Sequence, residues 1–144
     1  LQQFVHNAYT ARRAGTASTA NAVRGYSSTP GVACRALSLA PGARLQPELL
    51  AGVGDGVLIS SVSGLHSGVN PVSGDFSTGA EGLRIAGGAL AEPLREFTIA
   101  STLQKMLAEV AEVGADLEWL PMRAAGVSLV VRDVTLSGLS GCSG

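Results

Sequence analysis

The chain has 144 residues and a mass of 14.5 kDa, which suits one domain with an apolar core and no structural metal or disulfide. Apolar residues make up 46 % and charged residues 15 %, so a disordered chain is excluded. Ten basic and eleven acidic side chains give a net charge of −1, which supplies no overall attraction for nucleic acid or an anionic membrane. No apolar run is long enough to predict a transmembrane helix, and no signal peptide is visible.

The first third of the chain has weak patterns. Residues 10–15 predict a helical turn that stops at Gly15, and residues 16–30, rich in small and hydroxyl side chains, predict a loop. Residues 32–39 alternate loosely between apolar and polar, which predicts a strand ended by Pro41 and Gly42.

The middle of the chain, rich in glycine, predicts antiparallel strands. Residues 57–62 form a β-branched run of strand length, and Phe76 with Ser77 predicts the start of another strand. Residues 83–85 alternate and lead to Gly87-Gly88, a hairpin signal. Residues 90–97 then predict the return strand, with Pro93 suited to an edge or a bulge.

The clearest pattern predicts one amphipathic helix over about residues 101–113. Ser101 with Gln104 resembles a capping box, and Gly114 supplies a stop. Apolar residues recur at helical spacing and predict one buried face, formed by Leu103, Met106, Leu107 and Val110 and extended by Val113. On this prediction, Leu107→Ala destabilises the fold by about 2–5 kcal/mol.

Residues 116–120 predict a short strand or turn, and residues 127–136 predict the last strand. The order of strand, hairpin, helix and strand favours an α+β fold with a mainly antiparallel sheet and one well-defined helix before the last strand. The sequence predicts a single domain over residues 1–144.

Most chemically suggestive residues have a simpler structural interpretation. The segment Gly52-Val-Gly-Asp-Gly56 precedes a predicted strand, whereas phosphate loops follow one, so a turn is favoured. His66 lies near serines but in no nucleophile elbow, which favours a structural or surface role. Asp75 and Glu81 are the close carboxylates of this region, and Asp75 after Gly74 favours a turn role over acid–base chemistry.

The metal-binding residue types form no recognisable ligand set. Cys34 and Cys142 are far apart in the sequence, and His6 has no partner at helical ligand spacing. The favoured interpretation is two reduced thiols in a cytoplasmic protein, with no metal in this chain.

One long series of motifs resembles the TldD/PmbA family, long labelled modulators of DNA gyrase. The resemblance begins with Asn7-Ala-Tyr-Thr-Ala-Arg12 and residues 18–25, and its signature covers residues 64–82. It continues, in the same order as in the family, through residues 83–88, residues 92–101, Val113-Gly-Ala-Asp116 and Val134-Thr-Leu-Ser-Gly138. The chain is similar to the C-terminal part of such a protein, so we expect it to be a fragment of a longer chain.

The resemblance implies a cytoplasmic complex in which a metal-bearing subunit and a metal-free sibling form a heterodimer that degrades peptides or unfolded polypeptide. The metal-bearing type has a His-Glu-x-x-x-His helix upstream and a cysteine that would fall within residues 121–126, where this chain has none. The sequence of residues 70–77 is more similar to that of the metal-free PmbA (TldE) type. Zinc is then expected only in the sibling, since a catalytic zinc needs three protein ligands.

We therefore expect a non-catalytic partner subunit, with no catalytic or metal-binding residue in this chain. His66, Asn70, Asp75 and Ser77 are candidates for peptide binding or for an interface. The expected partners are a TldD-like sibling and a peptide or unfolded polypeptide, with no direct nucleic acid and no membrane. Two alternatives stay open: a self-sufficient zinc metalloprotease with ligands upstream of residue 1, and a non-enzymatic module that modulates DNA gyrase.

Overall fold

A computed structural model describes residues 4–34, 36–121 and 124–138. The chain divides into two compact units, Leu1–Leu39 and Ala40–Gly144. That residues 1–144 form a single domain stays a prediction. Its helices are short and every strand pair is antiparallel, which confirms the predicted α+β class. None of the helices in the described ranges has the length and apolar character needed to cross a membrane.

The first unit joins a capped helix to a small hairpin. Helix α1 spans Ala8–Ala14, and strand β1 (Ala22–Val23) pairs with β2 (Gly31–Val32). Asn7, almost fully buried, accepts a hydrogen bond from Thr10 N at 2.8 Å and donates from Nδ2 to the carbonyls of Pro30 and Gly31, each at 3.2 Å. One side chain therefore both caps α1 and holds the hairpin against it.

The helical turn predicted at residues 10–15 is confirmed as the later part of α1, which ends at Gly15 in a left-handed conformation. The strand predicted over residues 32–39 is wrong beyond Val32. The described residues among 33–39 have no partner strand. Leu37 and Leu39 are exposed, so the alternation of apolar and polar residues does not produce a buried face here.

The second unit is built on a four-stranded sheet in the order β10-β5-β4-β3. Helix α2 (Gln46–Val53) leads into β3 (Gly56–Ser63), the short helix α3 (Leu65–Gly68), the long hairpin of β4 (Asp75–Ala86) and β5 (Ala89–Thr102), and later β10 (Thr135–Ser137).

The predicted hairpin at Gly87-Gly88 is confirmed, because both glycines have positive φ and connect β4 to β5. The turn interpretation of residues 52–56 is confirmed for Gly54 and Asp55, which connect α2 to β3, whereas Gly52 and Val53 are the last residues of α2. Gly54 ends α2 with φ +72°, its carbonyl accepts a hydrogen bond from Gly88 N at 2.7 Å, and Asp55 Oδ1 accepts one from Gly87 N at 3.2 Å. This segment therefore fastens the end of the hairpin.

Pro93 lies where the sequence predicts, at an edge and beside a bulge. It is opposite Leu83 next to a shift of register, and β10 pairs only with residues 98–100 of β5, so its missing N–H disrupts no ladder on that side. A second bulge lies at Glu96, which has φ +57°.

The core of the second unit lies on one face of this sheet. Phe97 is 1 % exposed and packs with Ala80 and Leu94. Partly buried apolar side chains surround this cluster: Val57, Ile59, Ile99 and Leu136. Leu49 of α2 and Ile85 of β4 are also buried.

The helix predicted over residues 101–113 is shorter than the pattern indicates. Helix α4 spans Leu103–Ala108, capped by Thr102 Oγ1, which accepts from Lys105 N, and not by Ser101. Residues Val110–Val113 instead form β6, which pairs with β9 (Leu129–Val131). Strand pairing overrides the helical spacing after Glu109, which ends α4.

The predicted buried helical face is also wrong. No residue of α4 is fully buried, and Leu107 is 68 % exposed while Leu103 is 42 % exposed. The predicted last strand, residues 127–136, is two strands, β9 and β10, because Asp133 between them has φ +54°. A further hairpin pairs β7 (Glu118–Leu120) with β8 (Ala124–Gly126) and confirms a short strand near residues 116–120.

Candidate functional site

An open cleft of about 290 Å³ lies in the second unit, at the start of β4. It is formed by the end of α3, the following loop and the first residues of β4, and its lining residues are Ser67, Gly68, Val69, Asn70, Asp75, Phe76 and Ser77. This volume is just below the range of about 300–1,000 Å³ that is usual for small-molecule sites, and the cleft is shallow and open to solvent.

The loop between α3 and β4 is held in one shape by its own backbone. Val69 and Phe76 form an isolated antiparallel bridge, Asn70 N donates to Asp75 O at 2.8 Å, and Gly74 N donates to Asn70 O at 2.9 Å. The Asn70 side-chain oxygen accepts from Val72 N at 2.9 Å. Asn70 therefore builds the turn, in agreement with the interpretation of such residues as turn-formers.

The start of α4 braces this loop. Leu103 N donates to Gly74 O at 2.8 Å, and Gln104 Nε2 donates to Ser73 O at 3.0 Å. Gly74 has φ +82°, which a residue with a side chain rarely adopts. The first turn of α4 therefore stabilises this loop, a role that the apolar spacing of the sequence does not indicate.

The cleft wall depends on a glycine at position 68. A Cβ added there would overlap the carbonyl oxygen of Ser77, so α3 reaches this close to β4 only because Gly68 has no side chain.

Three of the four candidate residues from the sequence line the cleft. Asn70, Asp75 and Ser77 are exposed side chains on its rim, and the Asp75 carboxylate accepts a hydrogen bond from Ser73 Oγ at 2.6 Å. His66 is exposed on α3 and is not among the lining residues. The other lining residues, such as Phe76, are not among the candidates. They lie inside the glycine-rich motif of residues 64–82, so taking the whole motif as the site would have included them.

Asp75 and Glu81 do not form a carboxylate pair. Both lie on β4, six residues apart, which places their Cα atoms about 20 Å apart along an extended strand. Paired acid–base chemistry by these two groups is thereby excluded.

A polar cluster that the sequence did not predict lies elsewhere in this unit. Ser128 Oγ donates to Asp116 Oδ2 at 2.6 Å, Ser128 N donates to Oδ1 at 3.1 Å, and Gln46 Nε2 donates to Ser128 Oγ at 3.1 Å. The hydroxyl of Ser128, followed by its amide, lowers the pKa of Asp116 below its ordinary value. The cluster joins α2 to the segments that flank β6 and β9.

A catalytic zinc needs three protein ligands that lie close together. Across the described residues, no group of three or more His, Cys, Asp and Glu side chains is placed to hold a metal ion. His6 Nδ1 lies 3.3 Å from Thr10 Oγ1, Cys34 is exposed in the first unit, and Cys142 lies outside the described residues. The residues that the structure describes therefore do not fit a zinc with three protein ligands.

The comparison with protein families gives a match over almost the whole chain. The family model described as PmbA/TldA metallopeptidase C-terminal domain covers residues 1–138. The metalloprotease PmbA of Escherichia coli O157:H7 is 31 % identical over 118 residues, which are 82 % of this chain and 24 % of that protein. The metalloprotease PmbA homolog of Haemophilus influenzae is 38 % identical over 90 residues, which are 62 % of this chain and 19 % of that protein.

Solved structures agree. A crystal structure from Thermotoga maritima, of a protein described as a modulator of a DNA gyrase, has a TM-score of 0.81 and 31 % identity, and the match covers 95 % of this chain and 31 % of that one. TldE from Thermococcus kodakarensis has a similar fold, with a TM-score of 0.70 and 24 % identity over 90 % of this chain and 29 % of that one.

The chain therefore belongs to the PmbA/TldD metallopeptidase family and represents its C-terminal domain. This confirms the resemblance found in the sequence. The chain spans about a fifth to a quarter of the length of the curated relatives that it matches.

Proposed function

We propose that this domain belongs to the metal-free partner subunit of a heterodimeric metallopeptidase, and that it holds peptides or unfolded polypeptide without cleaving them. The observation that carries the proposal is in the sequence: residues 121–126, which follow β7 and include all of β8, contain no cysteine. The resemblance places a zinc ligand of the metal-bearing type in this segment. Without it, an upstream helix with two histidines falls short of three ligands.

The zinc would then belong to a TldD-like sibling, and the protein would act in the cytoplasm. When bound there, the metal polarises the scissile carbonyl and lowers the pKa of a bound water. A subunit without ligands still contributes by positioning the substrate, which can be worth several orders of magnitude in rate.

The second unit offers an edge that suits an extended polypeptide. Strand β3 is the last strand of the sheet, and its outer edge has no partner strand among the described residues. Its sequence, Gly-Val-Leu-Ile-Ser-Ser-Val-Ser, has no charge and no proline, the two features that usually protect an edge strand. A peptide can therefore add to it through main-chain hydrogen bonds that require no particular sequence.

This edge runs directly to the cleft. Strand β3 ends at Ser63, and Gly64 leads into α3, whose residues Ser67 and Gly68 line the cleft. A strand added along β3 would thus end near α3, which forms one side of the cleft.

A binding experiment tests this proposal. The protein is incubated with a fluorescent unstructured peptide, and anisotropy and mass spectrometry report binding and cleavage. We expect weak binding with the peptide left intact. Ser61→Lys places a charge on the β3 edge and should weaken binding, whereas Ser38→Lys, the same change at an exposed site of the other unit, should not. Equal effects of both variants would contradict the edge as the docking site, and cleavage by this protein alone would contradict the metal-free assignment.

A further inference from the structure

The charges of the chain are divided unequally between its two units. Residues 1–39 contain four arginines and no aspartate or glutamate, which gives +4. Residues 40–144 contain the other six basic side chains and all eleven acidic ones, which gives −5. The overall charge of −1 therefore conceals a first unit in which no carboxylate is available to pair with the arginines.

The described arginines of this unit are all exposed. Arg12 and Arg13 are in the last turn of α1, and Arg24 directly follows β1, at the start of the loop of the small hairpin. The two elements that carry them are joined, because Asn7 before α1 donates to the carbonyl of Gly31, the residue opposite Val23 in the hairpin.

Exposed aromatic rings accompany these cations. Tyr26 is fully exposed and shares an open hollow with Arg24 and Gly25, Phe4 is 71 % exposed, and Tyr9 is 66 % exposed. The guanidinium carbon of Arg13 lies 5.8 Å from the centre of the Tyr9 ring. Arginine and aromatic residues are the types enriched where proteins bind partners, and here they are not offset by acidic groups.

We propose that the first unit is a docking surface for an acidic polypeptide segment, in which arginines 12, 13 and 24 bind carboxylates and the exposed aromatic rings cover the intervening chain. Arginine suits this role because its planar group donates two parallel hydrogen bonds to a carboxylate. The choice of a polypeptide rests on the proposed function, and it adds a preference for acidic sequences.

Charge counting favours a polypeptide over a nucleic acid. Non-specific binding to a duplex commonly uses about 6–10 phosphate contacts, more than the four arginines of this unit can supply. A short acidic segment with a few carboxylates needs no more cations than this unit has.

Three labelled probes test the proposal on the intact chain without any sibling subunit: a short peptide of alternating glutamate and glycine, its glutamine counterpart, and a single-stranded oligonucleotide of equal charge. Anisotropy is measured at about 20 mM and about 200 mM NaCl, since exposed ion pairs are screened over this range. We expect binding of the glutamate peptide, at least fivefold weaker binding of the glutamine peptide, and a clear loss of affinity at the higher salt.

The variant R12Q/R13Q/R24Q should weaken binding of the glutamate peptide by about tenfold at low salt, as expected for three exposed ion pairs. The matched control R95Q/K105Q/R132Q changes the net charge equally at exposed sites of the second unit and should alter affinity by less than about twofold.

Three results would overturn the proposal: equal binding of both peptides by the unmodified chain, an equal loss in both triple variants, or tighter binding of the oligonucleotide. The comparison of the two peptides stands even if a variant misfolds. Because cleavage is not measured, this test can fail while the metal-free assignment holds, and the reverse is also true.

Discussion

Replacing Phe97 by alanine should remove the centre of the core. Phe97 is 1 % exposed, lies between Ala80 and Leu94, and is surrounded by apolar side chains of β3, β5 and β10. The loss of a buried phenyl ring and the cavity that it leaves cost about 3–5 kcal/mol. Since domains are stable by only about 5–15 kcal/mol, this is a large share of the total. For a unit of about 100 residues, the expected fall in Tm is at least about 12 °C.

The matched control is Leu107→Ala. Leu107 is 68 % exposed on α4, so its truncation should change stability by less than about 0.5 kcal/mol. The sequence pattern alone predicts the opposite, a cost of about 2–5 kcal/mol for Leu107. Thermal melts followed by far-ultraviolet circular dichroism decide between them. A Leu107→Ala protein as unstable as Phe97→Ala would refute this description of the core.

Other outcomes follow from glycine packing, acid titration and metal content. An added Cβ at Gly82 would overlap Leu58 O, so Gly82→Ala should lower Tm strongly, whereas Gly126→Ala, with 3.6 Å to Leu120 Cδ1, should be nearly neutral, and equal melts would contradict this. Because hydrogen bonds lower the pKa of folded Asp116, its ionised form stabilises the fold above pH about 3.9 and this contribution is lost at more acid pH. Asp116→Asn should therefore be less stable than the unmodified chain at pH 7 and converge with it in acid, and a gap that widens in acid would contradict the sign. Elemental analysis of protein purified without a metal-affinity tag should find no stoichiometric zinc, and zinc that survives dialysis and is lost on mutating Cys142 would show a ligand that we have misplaced.

Strand β3 and the hairpin of β4 and β5 were predictable because their signals are local. Gly87-Gly88 fixes a hairpin by its positive φ, and the β-branched run that became β3 needs only a neighbouring strand to pair with. Helix α2 is not predicted from the sequence, although Pro47 in its first turn is a start signal that can be read there. Its N-cap is Leu45, which is not a capping residue type, and the bond from Leu45 N to Glu48 Oε2 is seen only in the structure.

The error over residues 101–113 has a different origin. The apolar spacing of these residues is compatible with one long helix and also with a short helix followed by a strand. The second alternative forms because residues 110–113 pair with β9, which is distant in the sequence. The bulges at Ser60 and Glu96 likewise depend on pairing between strands, which no single segment specifies.

For the candidate site, the sequence motif correctly predicted that three of the four candidate residues lie close together. Asn70, Asp75 and Ser77 belong to one glycine-rich motif, and the short loop makes them neighbours. The cluster of Asp116 with Ser128 and Gln46 joins residues as far as 82 positions apart, and such a contact cannot be read from spacing.

The measurement that tests the central claim most directly is cleavage of an unstructured peptide by the full-length protein that carries this domain, by a metal-bearing TldD-like sibling, and by both together, each with and without a chelator. We predict no cleavage by the protein alone and chelator-sensitive cleavage in the mixture that is faster than with the sibling alone. Chelator-sensitive cleavage by the protein alone would contradict the non-catalytic assignment, and sibling activity that is unchanged on mixing would contradict the partner role.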